Sequence, residues 1–329
     1  MPTKVANSIT PDSLGLIPIS PLMLNPDCVI GIDIYLWNRQ NQEKILFASG
    51  NHWLNEAAME RLGANPELRL YIPKDQRDVY QTYLRQHVAN WVHDVQYSTE
   101  VKMSAVAEVV RGVLQETFQT NETDSIVESS LEVSQHISGL VSNTPLNATE
   151  LSKVLHHDYG TFTHSANVAL YAGLLAKQLG FSGTDLDDIT AGGLLHDIGK
   201  LDIDPRILNK PDKLDEFEFR LVKMHPLLGF QRLATSDKVN STHLAMAYQH
   251  HERLDGGGYP VGVMDNEIDM AARICAVVDI FEALTSQRPY HSPMEQTKAL
   301  QIMESMVGSA LDSEIFRCWS KMIRLPSSA

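Results

Sequence analysis

The run His250-His251-Glu252-Arg253-Leu254-Asp255-Gly256-Gly257-Gly258-Tyr259-Pro260 sets two adjacent imidazoles directly before a glycine-rich turn. Upstream lie His164, the pair His196-Asp197 and His225, and downstream lies Asp279 inside a mostly apolar run. Histidine nitrogens with carboxylate oxygens and no thiolates make a donor set that suits iron, manganese, nickel or zinc without choosing among them. Any one of these histidines alone reads more readily as a core or capping residue. Two histidine-containing doublets and the other members recur at intervals of roughly 25 to 30 residues, the length of one long helix or a helical hairpin. Together they point to a polynuclear metal site.

The elements that carry them must bring both members of each doublet to one place. Neighbouring helical residues point about 100° apart, so a doublet can serve one site only at a helix end or distortion. Gly199 after the first pair and the Gly256-Gly257-Gly258 turn after the second supply such ends. His225 stands at a helix end before Pro226. Asp279, flanked by Ile274, Val277, Val278, Ile280 and Phe281, belongs on or beside a buried face. An unpaired carboxylate there would be costly, and a cation removes the penalty.

From Glu150 onward helical periodicity dominates, with helices expected over 163–179, 185–195, 215–224, 228–234, 241–250, 270–286 and 293–306. Before it, 29–37, 45–48 and 68–72 read as strands, with helical spacing at 55–62 and again over 75–95. Apolar residues from Val101 to Phe118 and from Ile126 to Leu140, interrupted at Asn121 and Thr123, predict two packed helices; a signalling or dimer-forming hairpin, and with it a homodimer, is the alternative. The fold class is therefore mainly α: a carboxy-terminal all-α bundle with a small amino-terminal α+β module. The expected organisation is a regulatory module over 1–95, a helical linker or hairpin over 96–146 and a catalytic domain over 147–329. Asp33 sits in the first strand region, but the alternating strand-helix order of a phosphorylated receiver does not follow it.

The chain has 329 residues, 43% of them hydrophobic, and a formal charge of −14. That charge opposes attraction to DNA, and an anionic substrate would need cations to receive it. Cys28, Cys275 and Cys318 are far apart and odd in number, which excludes a disulfide framework and a thiolate zinc site and fits the cytoplasm. The most apolar stretch, 166–181, is short and carries Lys177, so no membrane span is expected.

Taken in order, these residues resemble the HD-GYP family, the subgroup of the HD superfamily that hydrolyses cyclic di-GMP. Leu194-Leu195-His196-Asp197-Ile198-Gly199-Lys200 resembles its H-D-x-G-K segment, and Ile207-Leu208-Asn209-Lys210-Pro211 its I-L-x-K-P. His225-Pro226 with Gly229 fits H-P-x-x-G, 250–260 fits H-H-E-x-x-D-G-x-G-Y-P, and Asp279 with Thr285-Ser286-Gln287-Arg288-Pro289-Tyr290 fits the last signature. The resemblance runs over about 148–310. It implies an HD-type helical bundle in which His164, His196, Asp197 and Asp279 hold one metal. Asp197 would bridge to a second held by His225, His250 and His251.

By the same resemblance Lys200 and Asp197 are the catalytic residues, and Lys200, Arg288, Tyr259 and His291 bind substrate, with His291 where some members carry a basic residue. Glu252 and Asp255 pin the loop, and the Gly-Tyr-Pro loop offers a surface to diguanylate cyclase domains of the GGDEF type. Gly160 stands where three-metal members carry a glutamate; two divalent ions are expected, iron or manganese first and nickel or zinc next, and the third is left open.

Two metals about 3.5 to 4 Å apart can share a hydroxide and orient it for in-line attack on phosphorus. The expected function is hydrolysis of cyclic di-GMP to linear pGpG, with further cleavage to GMP open. Two alternatives stand beside it: an HD phosphohydrolase for another nucleotide, such as a hybrid cyclic dinucleotide, and a catalytically weak cyclic di-GMP receptor acting through protein contacts.

Overall fold

A computed structural model describes residues 11–19, 24, 29–38, 41–51, 70–93, 99–143, 148, 155, 161–210, 212–286 and 293–324. The chain divides into two compact units, Met1–Val109 and Val110–Ala329.

The first unit holds a four-stranded antiparallel sheet of β1 (Leu16–Ile19), β2 (Ile34–Asn38), β3 (Glu43–Ala48) and β4 (Leu70–Pro73), in the order β1-β4-β2-β3. Leu16, Ile19, Ile34, Leu70 and Ile72 bury their side chains, and α1 (Arg77–His93) follows β4 after a single 3-10 turn. β1 falls outside the strands read from the sequence because Pro18 interrupts the pattern. It lies at the sheet edge, where a missing N–H leaves no ladder bond unmade. Asp33 Oδ1 accepts the Gly50 N–H at 2.9 Å, so this carboxylate ties a loop. The helical spacing at 55–62 lies outside the described residues.

The division between units falls within α2 (Thr99–Thr120), which is followed by α3 (Thr123–Asn143). These are the two helices that the periodicity predicts, and they part at Asn121, whose φ of 57° is one that asparagine tolerates better than most residues.

The second unit is helical: α4 (Thr161–Gln178), α5 (Thr184–Leu195), α6 (Pro205–Leu208), α7 (Glu216–Val222), α8 (His225–Leu233), α9 (Ser241–Gln249), α10 (Met270–Thr285), α11 (Gln296–Glu304) and α12 (Ser313–Arg324). Local chemistry sets their starts. Asp215 and Glu218 form a reciprocal capping box on α7, Asn240 caps α9 by accepting from Thr242 N and His243 N, and Asp269 caps α10 by accepting from Ala271 N. α4 packs against α5 and α10, α5 also against α3 and α9, and α9 against α8 and α10.

α4 and α10 are therefore the inner helices, buried at Ala166, Val168, Ala169, Leu170 and Ala172 on one and at Ile274, Val277, Val278 and Phe281 on the other. α12 lies outside the helices expected from sequence, yet Ile315, Phe316, Trp319 and Ile323 put one apolar stripe onto the bundle. Trp319 meets Tyr171 of α4 and Phe281 of α10 edge-on, at centroid separations of 5.2 and 5.1 Å. Among the described residues no helix is long and apolar enough to cross a membrane.

Because Trp319 is fully buried against both inner helices, Trp319→Ala should lower unfolding stability by about 3–5 kcal/mol. Denaturant titration checks this, and a loss under about 1 kcal/mol would place the α12 contact outside the folded core.

Candidate metal centre

His196 is the C-cap of α5, and Asp197 leaves the helix with φ −100° and ψ 8° to open the 3-10 segment Ile198–Asp202. His250 is the C-cap of α9, with His251 just beyond it. Both doublets thus sit at helix ends, where one turn of backbone lets both side chains face inward. His225 opens α8 instead of closing the helix before it, and Pro226 follows within the first turn, where its missing N–H costs nothing. A Cβ on Gly199 would lie 2.1 Å from His225 O and 2.4 Å from Gly229 N. Glycine is required there for α8 to approach the 3-10 segment, and that approach puts His225 Nε2 3.2 Å from Asp197 Oδ1.

The rings' protonation follows from what their other nitrogens touch. Nδ1 of His196 lies 2.8 Å from Gly193 O, that of His225 2.7 Å from Val222 O, and that of His250 2.9 Å from Met246 O. A carbonyl only accepts, so each Nδ1 carries a hydrogen and each Nε2 is turned toward the cluster. These Nε2 atoms converge without satisfying one another. The Nε2 atoms of His225 and His250 are 3.1 Å apart with no proton to share, and His196 Nε2 and Asp197 Oδ1 are buried with no hydrogen-bond partner among the described residues. Such orphaned acceptors are costly in a protein interior, and cations placed among them would satisfy all of them at once. The donor set fits divalent metal binding.

Asp197 divides the cluster. Its Oδ2 is 3.4 Å from both His164 Nε2 and His196 Nε2, while its Oδ1 faces His225 and, at 3.9 Å, His250. Asp279 Oδ1 approaches His164 Nε2 at 3.2 Å. In the triad His164, His196 and Asp279, and again in the triad His225, His250 and His251, one donor atom per residue lies within 4.8 Å of the others. Lys200 Nζ donates to Asp197 Oδ2 at 2.5 Å.

Burial opposes charge on Asp197, but the Lys200 ammonium and the His196 ring outweigh it and hold the carboxyl well below its usual range. Asp279 is held low against the same burial by its bond to His164. Burial keeps His225 neutral, down to about 3, and lowers His250 and His251 as well. His164 behaves oppositely: burial resists protonation, yet Glu282, Asp197 and Asp279 raise it well above the ordinary imidazole value. A protonated His164 would present an N–H at Nε2 to Asp197 and Asp279, and a cation bound there would have to displace that proton.

Glu282 is a residue the sequence reading missed. It is 2% exposed, accepts from His164 Nδ1 at 2.5 Å, and is itself held by Asn167 Nδ2 at 3.1 Å and Ser286 Oγ at 2.6 Å. Its signal was present: an acid three residues after Asp279 on the same buried helix face.

Glu252 pins the loop by accepting the Val261 and Gly262 N–H groups, and Asp255 by accepting that of Gly257. Tyr259 stacks on His251 with ring centroids 4.7 Å apart, at the edge of the cluster. Arg288, His291 and Gly160 lie outside the described residues. Cys275 and Cys318 are free thiols, with Cys275 fully buried, and neither belongs to the cluster.

Residues 145–315 match the family model described as HD domain. The chain is 44% identical over 165 residues to the 3'3'-cGAMP-specific phosphodiesterase 3 of Vibrio cholerae, a match covering 50% of this chain and 36% of that protein. It is 35% identical over 201 residues to a cyclic di-GMP phosphodiesterase of Pseudomonas aeruginosa and 36% over 168 residues to one of Thermotoga maritima, covering 61% and 51% of this chain and 46% of each relative. The chain thus spans less than half the length of these relatives. An HDG"Y"P protein from Bdellovibrio bacteriovorus shares the fold with a TM-score of 0.65 at 21% identity, over 94% of this chain and 100% of that one.

Two outcomes follow from this geometry. Glu282→Gln should weaken binding of the first metal by about 10- to 100-fold, read by competition with a chromophoric chelator; unchanged affinity would remove Glu282 from the site. Metal loading should release protons, because His164 must lose the one it holds below its raised pKa, so apparent affinity should climb as pH rises toward that value. Calorimetry in buffers of different ionisation enthalpy counts the protons, and a count of zero near neutral pH would contradict this account of His164.

Proposed function

The chain belongs to the HD domain family, and from that premise we propose that its metal centre hydrolyses a phosphodiester bond of a cyclic dinucleotide, cyclic di-GMP first, opening it to the linear dinucleotide. The observation that carries the proposal is the position of Asp197, whose Oδ2 faces His164 and His196 while its Oδ1 faces His225 and His250. In this reading His164, His196 and Asp279 would hold one ion and His225, His250 and His251 the other, with a carboxylate oxygen of Asp197 available to each. Iron or manganese is proposed first; nickel and zinc suit the same donors. When bound, the pair supplies positive charge to the phosphoryl oxygens and water acidified to near neutral pH.

The chain's own groups do the rest. Neutral His225, His250 and His251 keep their lone pairs for ligation, and Glu282 fixes the His164 ring so that Nε2 points inward. Lys200 holds the bridging carboxylate and presents its ammonium where the five-coordinate transition state gathers negative charge. Tyr259 shapes the entrance by stacking on His251. Arg288 and His291 are proposed to bind the nucleotide. The 1–95 module is proposed as regulatory, 96–146 as linker and 147–329 as the catalytic domain, in a cytoplasmic protein whose Gly-Tyr-Pro loop is open to diguanylate cyclase partners.

A second substrate reading, hydrolysis of 3'3'-cGAMP, rests on the 44% identity with a relative of that name. Full-length metal-loaded protein, offered cyclic di-GMP and 3'3'-cGAMP in parallel and assayed by chromatography of products, should cut at least one of them to a linear dinucleotide. Asp197→Asn should lower that turnover by at least about 10²- to 10³-fold, and metal removal should abolish it until metal is restored. A protein that cuts other nucleotides while leaving both cyclic dinucleotides whole would overturn the substrate assignment.

A further inference from the structure

Beyond the metal cluster, Lys223 is held differently from the cations that are paired with carboxylates near it. Lys200 is bonded to Asp197, Lys210 to Glu218 and Arg232 to Asp202. Lys223 has no carboxylate within ion-pair reach among the described residues. Its ammonium lies instead over two aromatic faces, 4.9 Å from the Phe219 centroid and 5.1 Å from the Tyr259 centroid. Ring faces hold a cation in place without neutralising its charge, so its N–H donors stay available to a ligand.

The position of this cation is what gives it a role. Tyr259 stacks on His251 at 4.7 Å, so a continuous row runs from His251 through Tyr259 and Lys223 to Phe219. His196, His225 and His250 are buried, whereas His251, Tyr259 and Lys223 are half-buried and Phe219 is 49% exposed. The row therefore leads from the cluster outward to solvent. Lys223 also precedes His225 by only two residues, across the junction of α7 and α8, so the backbone that places the His225 ring places the ammonium too.

We propose that Lys223, backed by the faces of Tyr259 and Phe219, is an anion subsite that takes the second, uncut phosphate of a two-phosphate substrate while the first lies on the metal cluster. This rests on the phosphodiesterase reading. A substrate with two phosphodiesters brings two negative charges to a chain of net charge −14, so a cation is needed at each. The metal pair and Lys200 answer one. Lys223 offers a charge to the other, beside the Arg288 proposed above for the nucleotide, and its donors would make charge-assisted bonds to phosphate oxygens that hold the ring for the cut.

The test compares a cyclic dinucleotide with bis(p-nitrophenyl) phosphate, a diester with a single phosphate, on metal-loaded full-length protein. Lys223→Gln should raise KM for the cyclic dinucleotide about tenfold more than KM for the simple diester, with kcat for the dinucleotide changed less than about twofold. Lys223→Arg should recover most of the loss. Metal content, measured on each variant, should equal that of the parent. Equal effects on both substrates, or loss of metal, would make Lys223 a structural support for the Tyr259–His251 stack and overturn the proposal, as would no effect on either.

If the parent protein cuts only the simple diester, the substrate reading falls on its own. The subsite is then read from inhibition of that reaction by cyclic di-GMP, which should be about tenfold weaker with Lys223→Gln. Unchanged inhibition, or none with the parent protein, would overturn it.

Discussion

The second unit is organised around a set of buried lone pairs that cannot satisfy one another. His196, His225 and His250 each spend their Nδ1–H on a backbone carbonyl, which turns three Nε2 atoms toward the Asp197 carboxylate. An interior of that kind is destabilising as it stands, and the remedy is positive charge at the centre. The Lys200 ammonium supplies part of it. Two divalent ions would supply the whole, and binding energy of that kind adds directly to the stability of the folded state.

The fold's local irregularities serve this convergence. α5 and α9 both stop at a histidine, so that the following residue turns toward the same space. Gly199 lets α8 press its first turn onto the 3-10 segment, and a side chain there would push His225 away from Asp197. A Cβ on Gly258 would lie 2.5 Å from both Glu252 Cα and Arg253 N, so the loop beside His251 is folded back on itself more tightly than any other residue allows. Around these points the bundle is ordinary: α4 and α10 pack through small and branched residues, and Trp319, Tyr171 and Phe281 lock α12 behind them.

Much of this was legible in the residues themselves. The helical periodicity gave α4, α5 and α10 to within a few residues, because each is long and one-faced. The doublets announced helix ends because adjacent helical side chains diverge. Three features were harder to read. β1 was hidden by Pro18, which is harmless only because the strand is an edge. The start of α8 at His225 was hidden because proline there looks like a break when it is in fact a favourable first-turn residue. Glu282 was overlooked because a carboxylate beside a site shows its role only through its partners, and His164 lies 118 residues away in sequence. The aromatic seat of Lys223 is of the same kind, since Tyr259 joins it only through tertiary packing.

The central claim is that the cluster holds two cations with Asp197 between them. Anomalous diffraction across several metal absorption edges, on crystals of the full chain grown without added metal, tests it most directly. The account predicts two peaks, one bounded by His164, His196 and Asp279 and the other by His225, His250 and His251, each in contact with one oxygen of Asp197. A map with no peak at the cluster, or with a single ion bound to only one oxygen of Asp197 at full occupancy, would contradict it.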